Sequence, residues 1–214
     1  MIPKVIYMCH KEMKFIEKYS KNWKDLNPEY EIKLYDDEAC INFLKEYFSQ
    51  KYVDIFNYLK DGPIKCDFWR VCILYKYGGI YVDADINPIV PLDDYIDDTD
   101  EFVTCISRNF RREKREFQLN PHFIKSTKEH PILKQTIDKY LNKFDRKEKY
   151  DYWKWSICKL LTIPGIFKKE PHTIVIDNVK YKFIYERSKN SCVYNGKIVF
   201  NNRYDTYKNH NFIE

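Results

Sequence analysis

The sequence predicts an α/β fold in which largely parallel strands are covered by helices. Three observations carry this. Short β-branched or alternating runs at 5–8, 31–35 and 80–83 are separated by helix-length segments, the order that buries a parallel sheet between helices. Segment 64–77 is apolar around most of a helical wheel, as expected of a helix packed between layers. Gly78-Gly79 then supplies two residues free to take positive φ, so that helix can stop and a strand can begin at once.

The elements follow in order. Val5-Ile6-Tyr7-Met8 reads as a buried first strand, and residues 11–23 as a helix. Asn27-Pro28 breaks the chain, and Glu31-Ile32-Lys33-Leu34-Tyr35 alternates as a second strand. Asp36-Asp37 can cap the next helix, about 38–48, and another spans about 51–59. Gly62-Pro63 opens the helix 64–77, with proline in the first turn, where its missing N–H costs nothing. Strand 80–83 follows. Further on, a strand fits 102–107, followed by a basic loop. Helices fit about 127–143 and 151–160, and short strands fit 173–176, 181–185 and 197–200. The tail from Asn201 to Glu214 is polar, without a clear element.

At 214 residues, 44% of them hydrophobic and 17% aromatic, the chain can bury a full core, which excludes a disordered protein. One domain is the simplest organisation: 1–95 as a ligand-binding half and 96–214 as a second half, all of it compatible with a piece of something longer. The net charge of +5 is mild, and most Lys and Arg are interleaved with Asp and Glu as a solvated surface. The densest basic cluster runs from Arg108 to Arg115 and reads as a surface loop, with an anionic ligand as the alternative. Seven cysteines, an odd number, without any CxxC pair argue against a disulfide framework or a zinc site and suit a reducing compartment. No run of 18 apolar residues exists and the N-terminus lacks a signal-peptide core, so a soluble, cytoplasmic protein is expected.

The chemistry concentrates at Asp83-Ala84-Asp85, at the exit of strand 80–83. Carboxylates at such an exit can hold a hard divalent cation, and all-oxygen ligation suits Mg or Mn. In open α/β sheets, ligands bind beyond the carboxyl ends of the strands. A second triplet, Asp98-Thr99-Asp100, lies in an acidic stretch that reads as a solvated loop. Tyr81 shares the face of Asp83 by strand alternation and could pack on a base or ribose. Asp67 and Arg70 sit on the rim of the helix 64–77. They form either an i,i+3 surface pair worth about 0.2–0.5 kcal/mol or a polar pair reaching a cleft, Arg70 toward phosphate or hydroxyl oxygens and Asp67 toward sugar hydroxyls. His10, His122, His130 and His172 read as structural or surface residues.

The run from Cys66 through Asp67, Arg70, Tyr77-Gly78-Gly79-Ile80-Tyr81 to Val82-Asp83-Ala84-Asp85 resembles the DXD region of glycosyltransferase family 32. So do the opening Ile2-Pro3-Lys4-Val5-Ile6-Tyr7 and the stretch from Trp23 through Asn27-Pro28 to Asp36-Asp37, together roughly the first 95 residues. The resemblance implies a GT-A (Rossmann-like) fold with a mixed, mostly parallel central sheet flanked by helices. It also implies a metal-dependent glycosyltransferase that moves a hexose or deoxyhexose from a nucleotide sugar, UDP-linked by first expectation, to a glycan acceptor with retention. The cofactor would be Mn2+ or Mg2+. By the motif, Asp85 would bind the metal and Asp83 would bridge ribose, sugar and metal water. Asp67 and Arg70 would hold the donor sugar, and Tyr81 with Tyr7, Met8 and Cys9 would hold the nucleoside. Asn120 falls where the family often has an asparagine lining the sugar site, and His210 in the tail would be a further metal ligand. The chain departs from the family in having Thr162-Ile163-Pro164-Gly165 for a Thr-Gly-Pro and no tryptophan after His210. The whole chain is also similar to the N-terminal domain of a large glycosyltransferase of algal giant viruses. That similarity implies host cytoplasm and a glycan on a virion protein as acceptor. The family implies no nucleic-acid partner and leaves the oligomeric state open, a monomer included.

Two rivals come from other classes. A haloacid-dehalogenase-type Mg-dependent phosphatase also places Asp-x-Asp after a hydrophobic strand, but there a Thr or Val usually follows, where this chain has Ile86-Asn87. A non-catalytic basic, aromatic module binding nucleic acid or glycan would use the 108–115 cluster with Phe110 and Phe117, and leaves Asp67, Asp83 and Asp85 unexplained.

Overall fold

A computed structural model describes residues 2–109, 116–164, 173–188 and 191–202. The first half follows the expected order: β1 (Val5–Cys9), α1 (Met13–Leu26), β2 (Glu31–Tyr35), α2 (Asp37–Tyr47), α3 (Gln50–Tyr58), α4 (Gly62–Tyr77) and β3 (Gly79–Val82). The local signals act as read. Asp36 caps α2 by accepting from the Ala39 N–H at 2.8 Å. Pro63 lies in the first turn of α4. Gly78 ends α4 at φ +68°, where an added Cβ would stand 2.8 Å from the Lys128 nitrogen, so only glycine makes this turn unstrained.

The second half contains β4 (Ile86–Pro88), a short 3-10 turn at Leu92–Asp94, β5 (Phe102–Asn109), β6 (Glu116–Ser126) and α5 (Pro131–Asp145). It continues with α6 (Tyr152–Trp155), α7 (Ile157–Leu160), β7 (Thr173–Ile176), β8 (Val179–Ser188), β9 (Ser191–Tyr194) and β10 (Lys197–Asn202). Residues 116–126, given no element from the sequence, are strand β6, and the helix expected from 127 begins only at Pro131. The single helix expected over 151–160 is two, because Ser156 leaves the helical conformation and caps the second from its side chain. Strands β4 and β9 carry no alternation long enough to read from sequence.

One sheet has the order β2-β1-β3-β6-β5-β8-β9-β10-β4, with β7 added on β8. The pairings β1–β2, β1–β3 and β5–β8 are parallel. The other six are antiparallel. The α/β expectation, with a mixed sheet flanked by helices, therefore stands, while "mostly parallel" holds only for β2-β1-β3; β6 enters beside β3 antiparallel and turns the sheet mixed. Alternation divides the core between the two faces. Tyr7, Cys9 and Tyr81 point to the side of α2, α3, α4 and α5. Ile6, Met8, Ile80 and Val82 point to the side of α1.

The placement of β4 positions the site. It follows β3 in the chain yet lies at the opposite end of the sheet, so the sheet curls back on itself. Trp23 of α1 pins the join by donating from Nε1 to the Ile86 carbonyl at 3.1 Å. Asp83 to Asp85 occupy the corner between the two ends. Among the described residues no helix is long and apolar enough to cross a membrane.

Candidate active site

The site grows from α4 and the end of β3. Arg70 is 3% exposed and is held on four sides. Its Nη2 lies 3.0 Å from Asp67 Oδ1 and 2.8 Å from Asp83 Oδ1. Its Nη1 donates to the Pro121 carbonyl at 2.6 Å, and its Nε donates to the Cys66 carbonyl at 3.3 Å. The guanidinium also lies 4.3 Å from the centre of the Tyr81 ring. The Asp67–Arg70 pair is thus buried, not a surface bridge. Burial is the reason the chain surrounds it so completely, since a buried charge without partners is costly.

The three carboxylates are in different states. Asp67 has its second oxygen engaged by the Ile157 N–H at 3.0 Å and the Ser156 hydroxyl at 3.2 Å, which ties α4 to α7. Burial pushes its pKa up to about 6 against the opposing pull of Arg70 and the Ile157 N–H. Asp83 Oδ1 also accepts from the Tyr81 hydroxyl at 2.9 Å, while its Oδ2 has no protein partner among the described residues. Its pKa is raised by burial, with Arg70 and Tyr81 opposing. Asp85 is 7% exposed, and among the described residues only its own main-chain N–H approaches its carboxylate. Burial, and then the neighbouring Asp83 charge, push it up to about 7. Asp83 with one oxygen open, beside a buried Asp85 that only its own main-chain N–H meets among the described residues, is an oxygen donor set at a strand exit that fits a hard divalent cation.

The raised Asp85 sets a stability prediction. Its folded value of about 7 exceeds the ordinary 3.8, so between these values the folded state holds a proton that the unfolded state has released. In chelator, stability should therefore fall as pH rises from about 4 to about 7, by on the order of a few kcal/mol. Asp85→Asn removes this titration. In EDTA it should melt above the parent at pH 8 and close to it at pH 4.5; a parent that melts as high as the variant at pH 8 would contradict the buried, unpaired carboxylate.

Other expected residues fall in and out of this frame. Tyr81 shares Asp83's face as read, but it is 0% exposed with Arg70 over its ring, so it supports Asp83 and cannot stack on a base. Tyr7 and Met8 are also buried, on opposite faces of an interior strand, which leaves only main-chain groups there for a nucleoside. The Cys9 thiol is likewise buried, 3.7 Å from the Tyr81 hydroxyl. Asn120 is half-buried next to Pro121, with its amide donating to Glu186 Oε2 at 2.7 Å. His210, His172 and most of the 108–115 cluster lie outside the described residues. Asp100, read as solvated, is buried and paired with Lys182 at 2.7 Å, which separates the second Asp-x-Asp from any ligand; Asp98 is exposed.

Sequence reasoning missed the supports. Ser156, Ile157, Pro121 and His122 act through main chain or through single contacts from distant segments, and no local pattern announces them. The His122 carbonyl accepts from the Asp83 N–H at 2.9 Å. Its ring is buried, which with the Arg70 charge lowers its pKa to about 3 and keeps the imidazole neutral.

Residues 14–103 match a family model described as "Glycosyltransferase sugar-binding region containing DXD motif". They span the pair Asp83 and Asp85 and the helix bearing Asp67 and Arg70. This stretch of the chain is similar to a glycosyltransferase DXD region. The chain is 28% identical over 94 residues to an initiation-specific alpha-1,6-mannosyltransferase of Candida albicans, covering 43% of this chain and 24% of that protein. It is 37% identical over 92 residues to inositol phosphoceramide mannosyltransferase 3 of Schizosaccharomyces pombe, covering 40% and 25%. The matches thus span about a quarter of each relative's length. Among solved structures, the PaToxG glycosyltransferase overlaps 75% of this chain and 65% of its own, at a TM-score of 0.48 and 20% identity. Within the DXD region, Asp85 is the carboxylate left open and Arg70 is the hub that fixes Asp67 and Asp83 relative to it.

Proposed function

We propose that this protein is a metal-dependent glycosyltransferase that moves a hexose or deoxyhexose from a nucleoside-diphosphate sugar to a glycan acceptor. The observation that carries the reading is the buried Asp85 carboxylate, without a cationic partner, beside the open Oδ2 of Asp83 in a DXD region. The names of the relatives favour mannose among the hexoses. UDP is the first expectation for the nucleotide, and a screen of UDP- against GDP-sugars decides it.

In this mechanism Asp85 and Asp83 would hold Mn2+ or Mg2+, whose positive charge would favour departure of the diphosphate. Arg70 holds Asp83 by one oxygen, so the other is presented in a fixed direction. Asp67, anchored by Ser156 and Ile157, offers its Arg70-paired edge toward sugar hydroxyls. Tyr81 keeps Asp83 from turning inward. Asn120, the end of β1 and the tail bearing His210 are assigned to the donor pocket as the resemblance implies, with Tyr81 moved from the nucleoside to the support of Asp83. The chain acts as one unit, residues 1–95 on the donor and 96–214, apart from Asn120 and the tail bearing His210, on the acceptor, in the cytoplasm.

The two rivals lose ground for physical reasons. A phosphatase nucleophile at Asp83 would have to attack with an oxygen clamped by Arg70 and Tyr81, or with one beside an unneutralised Asp85. A phosphate-binding module without metal would meet three carboxylates.

Isothermal calorimetry tests the proposal. UDP and GDP should each be titrated in Mn2+, in Mg2+ and in EDTA. One nucleotide should bind with a metal and lose at least tenfold in affinity with chelator. Equal binding in EDTA would remove the metal from the reading.

A further inference from the structure

Beyond the DXD carboxylates, a second cluster of ligand-type side chains lies in the core. Cys105 of β5, His122 of β6 and Cys192 of β9 place their ligand atoms within 4.8 Å of one another, and all three residues are buried. Cys192 Sγ is 3.5 Å from His122 Nε2. A tetrahedral zinc, with Zn–S of about 2.3 Å and Zn–N of about 2.0 Å, sets its sulfur and nitrogen ligands about 3.5 Å apart.

The backbone is irregular at each contributor. On β5, Thr104 faces Ile124 but Ile106 faces Leu119, so Cys105 alone stands opposite residues 120–123 of β6, and His122 is among them. The β8–β9 register shifts between Glu186 and Ser188, beside the Glu186–Cys192 pair. The β9–β10 register shifts between Ile198 and Phe200, beside the Phe200–Cys192 pair. Bulges re-aim side chains and are enriched near functional sites. Here three of them converge on one point.

We propose that Cys105, His122 and Cys192 bind one zinc ion, distinct from the hard cation of the DXD pair. The donor set is two thiols and a neutral imidazole, soft and borderline ligands that select zinc over Mn or Mg. Binding releases two thiol protons, so two thiolates balance the ion's two charges. A fourth position stays for a water. The role is positioning. The 120–123 segment that His122 belongs to also supplies the Pro121 carbonyl to Arg70 and the His122 carbonyl to the Asp83 N–H. Zinc would pin the one stretch of β6 that has lost its β5 partner and that holds both site residues. The site does not depend on the glycosyltransferase reading, because its ligands share no side chain with the DXD pair.

Elemental analysis of the purified protein, with cobalt substitution, tests this. The expected result is about one zinc per chain, and a near-ultraviolet thiolate-to-Co2+ absorption band on replacement. Both should be lost in Cys105→Ser and Cys192→Ser and retained in Asp85→Asn. X-ray absorption at the zinc edge of the unmutated protein should give two sulfur scatterers and nitrogen, so the test stands even if a serine variant fails to fold. Protein that neither holds zinc nor gives the cobalt band would overturn the proposal. So would a shell of oxygen alone, or a band that persists in a folded Cys192→Ser.

Discussion

Arg70→Ala is expected to abolish sugar transfer and to lower the melting temperature by about 10 °C. The size follows from burial. Arg70 is the counter-charge for Asp67 and Asp83, with side chains 4% and 9% exposed for the Arg70–Asp67 pair and 21% for Asp83. Removing one partner of a buried pair leaves the other uncompensated and costs about 3–5 kcal/mol, which at this chain length is roughly 6–20 °C. It also frees the Pro121 carbonyl, leaving an unsatisfied acceptor at the base of the site. Arg70→Lys should recover part of the stability and little of the transfer, because an ammonium cannot reach Asp67, Asp83 and two carbonyls at once. Thermal melts and donor hydrolysis on both variants check this. An Arg70→Ala protein that melts like the parent would return the pair to a surface ornament. Asp67→Ala should act less on stability, since Asp83 still pairs with Arg70, yet it should depress the sugar step while nucleotide affinity holds.

Asp85→Asn is expected to act on activity and leave the fold standing. Losing an anionic metal ligand forfeits several kcal/mol of leaving-group stabilisation, so transfer should fall at least a hundredfold. The same variant should show metal-independent, weakened nucleotide binding in calorimetry. Its fold should be intact, because among the described residues no other side chain leans on that carboxylate. Asp98→Asn, at the exposed position of the second Asp-x-Asp, should leave turnover unchanged. Turnover in Asp85→Asn equal to the parent would remove Asp85 from the mechanism. Because the change removes an unpaired buried charge, it should gain stability in chelator at pH 8 even as activity is lost. That combination separates a functional carboxylate from a structural one.

The sequence by itself determined the scaffold of the first half. Gly78-Gly79, Pro63, Asp36 and the apolar sweep of α4 are local signals, and local signals fix where helices stop and strands start. The period-2 pattern of β3 was enough to set Tyr81 and Asp83 on one face, and the resemblance to a DXD region named Asp67, Arg70, Asp83 and Asp85 as candidates, of which the structure brings Asp67, Arg70 and Asp83 into contact. What the tertiary structure decided is their condition. Only burial turns Asp67 and Arg70 from a helix-surface pair into an enclosed one, and only the surrounding chain shows that Tyr81 is occupied while Asp85 is left open. The antiparallel majority of the strand pairings, the return of β4 to the far end of the sheet, and the meeting of Cys105, His122 and Cys192 were equally illegible in the sequence. The physical reason is the same for all of them. Strand pairing, desolvation and ligand clustering depend on contacts between residues tens of positions apart, and one-dimensional spacing carries no record of which distant segment comes to lie alongside.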